Sequence, residues 1–307
     1  MGPPPRQLDR HHDHLARGLH ERWPLGAHPH HPRARSAVVQ GADRGQLEGG
    51  GVTPQEWRLR FREGEVRQTA ALSPGHVQAN LAILPAAKAD AFENFLRVNR
   101  AACPLLARGQ AGDPALPELG QDIDVRTDLP LYRIFEHGQP SALAGDIRDR
   151  WQNDFVPFAI GCSLTFEADL VAAGVALRCF APGVSCSAFD TSIPNRAVGP
   201  FAGNLVVSMR AIRREHVDLA VVVTEQHPTS HGAPVHIGDP ARIGVDLSRP
   251  IDGLGLTDLR EGEVPVFWAC GVTMERAIAL AGLPIGITHA PGHMLVSDLR
   301  ARPGVAA

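Results

Sequence analysis

What this chain lacks bounds its chemistry first. Its five cysteines, Cys103, Cys162, Cys179, Cys186 and Cys270, are an odd set without a CxxC pair, which argues against a disulfide framework or a zinc ribbon. No apolar run approaches the roughly 20 residues that span a bilayer. The amino terminus shows no apolar core of a secretory signal, so a reducing cytoplasm is the expected location. There is no excess of positive charge: 30 Lys and Arg stand against 33 Asp and Glu, a net charge of −3. That offers nothing to nucleic acid or to an anionic membrane, and neither is expected as a partner. No GxGxxG or Walker loop is present to bind a nucleotide, and no internal repeat is evident.

What is present divides into two textures. Residues 1–50 hold a proline run, HHDH, HPHHP and a glycine run, with weak apolar periodicity, and are expected to be a disordered extension. From Thr53 onward, helical and strand-like segments alternate. Residues 53–62 suit an amphipathic helix, and 86–99 place Ala89, Phe92, Phe95 and Leu96 on one helical face. Residues 122–131 read as an extended polar segment. Apolar runs at 156–160, 205–209, 217–223, 264–268 and 283–287 read as strands, with helices at 164–173 and 274–281. Apolar strands alternating with helices imply an α/β fold with a mixed or mainly parallel, largely buried sheet.

Two short histidine loops stand out. HGAPVHIGDP (231–240) follows the run VDLAVVV, and THAPGHM (288–294) follows LPIGI. Histidine titrates near neutrality, so such clusters suit proton transfer or metal binding. The candidates are His231, His236, Asp239, His289 and His293. Pro291 and Gly292 prevent the helical HxxxH geometry of many metal sites, which puts acid–base work ahead of a metal. No cofactor is therefore expected, with a divalent metal on the same five residues as the alternative. If the strands before the loops are parallel neighbours, the loops share one cleft at their carboxyl ends.

Two strand-to-helix turns complete the candidates. In IGCSLTFE (160–167) the turn Gly161, Cys162, Ser163 offers backbone N–H groups to a carboxylate or an oxyanion. In PVFWACGVT (265–273), Cys270 and Gly271 occupy the corresponding place, with Thr273 as N-cap and with Phe267 and Trp268 as core. Since each cysteine follows a strand beside a glycine, both turns are expected to face one cleft. Arg126 and Arg210 are the candidate clamps for a substrate carboxylate.

Taken in order, GHVQANLAILP, CPLL, DVRTDLPLYRIF, FAIGCSLTFE, GPFAGNLVVSMR, HGAPVHIGDP, PVFWACGVT and ITHAPGHM resemble the hydro-lyase family also called the D-glutamate cyclase family. The resemblance runs from about Phe61 to Asp298 and leaves the first fifty residues outside it. It implies a two-lobed α/β module over 51–303, with 120–215 as a smaller inserted α+β lobe. It also implies a lyase that removes water from D-glutamate to give 5-oxo-D-proline. The expected partner is a small carboxylate substrate, and a homo-oligomer is compatible with the chain. The chain departs from the family where Phe189, Asp190, Thr191 and Ser192 replace a Tyr-Arg-Thr-Asn run. Met274 and Glu275 replace Pro-Gln, and His76 replaces Tyr. The rival readings are a metal-dependent hydrolase of a lactam or amide and a non-catalytic binder of small carboxylates.

Overall fold

The computed structural model describes residues 51–180 and 186–301. The expected extension, 1–50, lies outside them. The described chain opens with α1 (Pro54–Arg62), held by a capping box. The Thr53 hydroxyl accepts from the Glu56 N–H at 3.2 Å, and the Glu56 carboxylate accepts from the Thr53 N–H at 2.7 Å. Next come β1 (His76–Pro85), α2 (Ala86–Val98), β2 (Leu105–Arg108), β3 (Tyr132–Glu136), β4 (Gln139–Ala144), β5 (Phe155–Gly161) and α3 (Leu164–Ala172). After the undescribed 181–185 follow β6 (Ser187–Pro194), β7 (Asn204–Arg213), α4 (Val217–Glu225), β8 (His236–Ile237), β9 (Glu263–Ala269), α5 (Val272–Ala281), β10 (Ile285–His289) and β11 (Leu295–Arg300).

The strands form two sheets. The first runs β2-β5-β1-β10-β3-β4, with β11 also paired to β1, and the second runs β6-β7-β9-β8. Every pairing between these strands is antiparallel. The fold is mixed α/β as expected, but the mainly parallel sheet is corrected. The nearly unbroken burial along β1 and β5 reports cover on both faces, and it says nothing about strand direction. The stretch 120–215 is shared between the sheets, giving β3, β4 and β5 to the first and β6 and β7 to the second.

The largest core lies between the sheets. Ala82, Leu84, Val156, Phe158 and Ile160 from the first meet Phe189, Val207, Met209, Phe267 and Ala269 from the second. The buried faces of α2 and α5 complete it. The ring of Phe92 stands edge-on to Phe158 at 5.1 Å. Truncating Phe92 to Ala would cost about 3–5 kcal/mol at such a site. The opposite residues of β1, Ala79, Leu81 and Ile83, face a second core closed by Leu116, Leu119, Ile123, Val125 and Leu129. The segment 122–131 is thus a run of turns over the outer face of the first sheet, not an extended strand. On the far face of the second sheet, Val266 and Trp268 pack against Phe166 and Leu170 of α3 and Ala220 of α4.

One element differs in kind from the expectation. VDLAVVV forms α4, not a strand. Only Ala220 and Thr224 on that helix are buried, four residues apart, while Leu219 and Val222 are exposed. The Thr224 hydroxyl donates to the Ala220 carbonyl at 2.8 Å, which reconciles a β-branched residue with the helix. Among the described residues, no helix is long and apolar enough to cross a membrane.

Candidate active site

The middle of β1 is where the loops meet. Along one edge β1 pairs with β10 at Ala82 and Ile83, and with β11 at His76, Gln78 and Ala79. Between these pairings, opposite Asn80 and Leu81, the chain leaves the sheet as the second histidine loop. The Asn80 amide donates to the Gly161 carbonyl at 2.7 Å. A methyl group on Gly271 would overlap that same amide, and one on Gly161 would overlap the Thr229 carbonyl oxygen. Both positions need glycine because another chain segment lies against the backbone. The two cysteine turns and the start of the first histidine loop therefore converge on Asn80 and Gly161. The second loop joins them through His289, whose Nδ1 lies 3.4 Å from the Leu81 N–H.

The histidines separate on inspection. His231, in left-handed backbone with φ 80°, is 5% exposed. Its Nδ1 lies 3.1 Å from the Ala101 carbonyl, and its Nε2 has no partner among the described residues. Burial, aided by the nearby Arg210 charge, lowers its pKa to about 4. His289 is fully buried, with Nε2 likewise unpartnered. Burial, then the charge of Arg133, lowers it to about 3. His293 is also lowered by burial, and its Nδ1 is held 2.8 Å from the Pro291 carbonyl. His236 stands apart on β8, at the edge of the second sheet, over the Phe267 ring, with Nε2 on the Asp239 carbonyl at 2.7 Å. The Asp239 side chain caps the following turn by accepting from the Ala241 N–H at 3.0 Å. The structure therefore does not join all five residues in one cleft, because the first loop follows a helix and carries its second half away along β9. Among the described residues, no group of three or more His, Cys, Asp or Glu could hold a metal ion.

The two arginines also part company. Arg126 is a half-exposed partner of Asp124, at 2.7 Å, over the Trp151 ring. Arg210 is buried on β7. Its Nε and one terminal nitrogen donate to Glu167 Oε1 at 3.0 and 2.7 Å, and its terminal nitrogens also reach the Ser208 and Ser163 hydroxyls at 3.0 Å each. The guanidinium lies over Phe166 and Trp268, at 5.1 and 5.4 Å. Ser163 occupies the N-cap position of α3, but its side chain binds Arg210 and caps nothing. Burial raises the Glu167 carboxyl against the pull of Arg210, and its Oε2 has no partner among the described residues. A small cavity bordered by Arg210, Cys179 and Cys186 adjoins this network.

Burial disfavours ionisation of both turn cysteines. Burial pushes the Cys162 thiol well up and the Cys270 thiol up to about 12. Phe267 and Trp268 are core, as expected, whereas Thr273 is not an N-cap. Its hydroxyl accepts from the Val206 N–H at 2.9 Å, and Gly271 takes the cap position. Asn80, Glu167 and Ser208 were missed in the sequence. Each is a polar residue inside an apolar strand or helix, which is the signal that could have found them. The departures from the family pattern are absorbed locally. Asp190 takes a bidentate pair from Arg276 at 3.0 Å, and Glu275 receives Arg133 at 2.8 Å.

Comparison with known proteins places this geometry. The profile of the D-glutamate cyclase family matches residues 156–298, which hold both cysteine turns, both histidine loops and Arg210. A Bordetella petrii protein described as a "Putative hydro-lyase" is 50% identical over 244 residues, 79% of this chain and 92% of its own. Relatives of the same description from Paraburkholderia phymatum and Rhodopseudomonas palustris are 48% and 44% identical. They cover 81% and 86% of this chain, and 97% of each of their own lengths. Among solved structures, a nitrogen repressor-like protein from Methanococcus jannaschii aligns over 76% of this chain and 91% of its own. Its identity is 12% and its TM-score 0.34, too distant to bear on function. The class these relatives define is that of the hydro-lyases. Within it, the chain belongs to the D-glutamate cyclase family.

Proposed function

We propose that this protein is a cytoplasmic hydro-lyase acting on a small amino or hydroxy acid, first of all D-glutamate, which it closes to 5-oxo-D-proline with loss of water. The observation that carries this reading is the family match, at about half identity over nearly the whole length of the relatives. Lactam closure requires the α-amine nitrogen to attack the side-chain carboxyl carbon. One proton must leave the nitrogen, and a hydroxyl must depart as water. His231 suits the first task. With the proton on Nδ1, facing the Ala101 carbonyl, the lone pair sits on the unpartnered Nε2 of a ring that burial keeps neutral. His289 is the second buried ring with a nitrogen unmet among the described residues; kept neutral by burial, it offers a hydrogen bond to the departing hydroxyl, which leaves as water with the proton that His231 collects. The N–H groups at the starts of α3 and α5 are donors for a carboxylate and for the tetrahedral oxyanion. Arg210, its donors shared among Glu167, Ser163 and Ser208, supplies charge and orients Ser163.

The test is turnover by the purified full chain of D-glutamate, L-glutamate and a small β-hydroxy acid, with and without added divalent metal, followed by chiral chromatography. The expected product is 5-oxo-D-proline from D-glutamate. Dehydration of the β-hydroxy acid without turnover of D-glutamate would reassign the protein as a general hydro-lyase. Lactam or amide hydrolysis that appears only with metal would make it a hydrolase instead. Thermal stabilisation by glutarate with no turnover would make it a binder.

A further inference from the structure

The two cysteine turns follow one local pattern. Cys162-Ser163-Leu164-Thr165-Phe166-Glu167 matches Cys270-Gly271-Val272-Thr273-Met274-Glu275 in the pattern Cys, small, aliphatic, Thr, apolar, Glu. Each copy joins the end of a strand, β5 or β9, to the start of a helix, α3 or α5. The Cys162 carbonyl accepts from the Thr165 N–H at 3.1 Å, and the Cys270 carbonyl from the Thr273 N–H at 3.0 Å. The Leu164 and Val272 N–H groups are placed to hydrogen-bond the respective sulfurs. Each threonine hydroxyl accepts a backbone N–H from the neighbouring strand of its own sheet. Thr165 does so from Gln78 of β1 at 3.1 Å, and Thr273 from Val206 of β7 at 2.9 Å.

Each glutamate then crosses to the other sheet. Glu167 pairs with Arg210 of β7, and Glu275 with Arg133 of β3. The two turns thus agree at five side chains, in the bond to the cysteine carbonyl and in the bond to the threonine hydroxyl. Asn80 lies between them, bonded to the Gly161 carbonyl and packed on Gly271. The buried His231 imidazole, its Nε2 without a partner among the described residues, belongs to the same surroundings, because the Thr229 carbonyl two residues before it rests on Gly161.

Lactam closure has no use for two equivalent groups. Inversion at an α-carbon does, since it needs one proton acceptor and one proton donor on opposite faces of the same carbon. We propose that Cys162 and Cys270 form a two-faced thiol pair that exchanges the α-proton of the bound amino acid and interconverts its enantiomers. One sulfur, as thiolate, takes the α-proton, and the electron pair left on carbon delocalises into the carboxylate held at the helix N-termini. The opposite thiol then gives its proton to the other face. The centre inverts, and the thiol and thiolate have changed places, so protons and charge balance. A thiolate in a dry site is a stronger base than one in water, as an α-proton demands, and the Arg210 charge partly offsets the burial that disfavours the Cys270 thiolate. The inference rests on the proposed substrate class, glutamate.

The full chain is incubated with D- and with L-glutamate in D2O. Loss of the α-proton is followed by NMR, and lactam formation is followed on the same samples. Wild type is expected to exchange both enantiomers. Cys162→Ser and Cys270→Ser, checked for native circular dichroism, are each expected to lose at least about 100-fold of the exchange on one enantiomer, the two variants losing opposite ones. A merely structural cysteine would not split the enantiomers in this way. Lactam formed from D-glutamate without α-exchange overturns the inference and leaves the cyclase reading standing. Exchange without lactam does the reverse, and absence of both ends both. Exchange that survives in both serine variants, or falls equally for both enantiomers in folded variants, also overturns the thiol pair.

Discussion

Acidification from pH 7 to pH 5 should destabilise this protein largely through two imidazoles buried in neutral form. In the unfolded chain each titrates near 6.5, whereas in the fold His231 is held at about 4 and His289 at about 3. A group whose folded pKa is depressed contributes stability that is present above its unfolded pKa and is lost as pH falls toward the folded value. At pH 5 both rings are protonated when unfolded and mainly neutral when folded. At about 1.4 kcal/mol per pH unit of the gap, each ring removes about 2 kcal/mol between pH 7 and pH 5, and the pair about 4 kcal/mol. His293, also lowered by burial, acts in the same sense. Glu167, raised by burial, acts in the opposite sense and is common to every variant compared. The assay is urea unfolding of wild type, His231→Asn and His289→Asn at pH 7, 6 and 5. Each substitution will have its own effect at pH 7, so the pH slope is the quantity compared. The variants should each lose about half of the slope. A double Asn variant that destabilises as steeply as wild type over this range would refute the burial argument.

Other consequences are equally direct. His231→Asn should lower kcat by about 10²–10⁴-fold with a smaller change in KM, measured by steady-state lactam formation; a near-native rate removes His231 from the chemistry. Glu167→Ala leaves Arg210 buried without its carboxylate and should cost about 3–5 kcal/mol in urea unfolding, with Glu167→Gln costing less because the amide still accepts a hydrogen bond. Gly271→Ala should lower Tm because the new methyl meets the Asn80 amide, and Asn80→Ala in the same chain should recover part of the loss; no recovery would place the strain elsewhere. Deleting residues 1–50 should leave Tm and turnover unchanged, since that stretch lacks a core-forming pattern.

The legible parts of this protein are those whose signal is local. Thr53 and Glu56 three residues apart define the start of α1, and Ala89, Phe92, Phe95 and Leu96 define the buried face of α2. Cys162 and Cys270, each beside a small residue after an apolar run, mark two strand-to-helix turns that the fold does place around Asn80. Where local signals compete, reading fails. The β-branched run of α4 favours a strand by composition, and is helical because only two positions a helical turn apart are needed by the core.

The rest was decided by contacts between distant residues, which no window of sequence contains. Strand direction is one case, for burial on both faces fixes the apolar pattern of β1 and β5 while leaving their antiparallel pairing free. The arginines are another. Arg126 finds Asp124 two residues away, while Arg210 finds Glu167 across 43 residues, and only the packing of α3 on β7 makes the second a buried part of the site. The histidines are the third. The sequence brings four rings into two loops, but the free energy of burying an imidazolium charge or a neutral ring depends on what surrounds it. Tertiary structure buries His231 and His289 with one nitrogen unmet among the described residues and leaves His236 at a sheet edge. Sequence thus determined which residue types are available and where the chain turns, and tertiary structure determined their neighbours, because solvation and partner geometry are properties of the assembled fold.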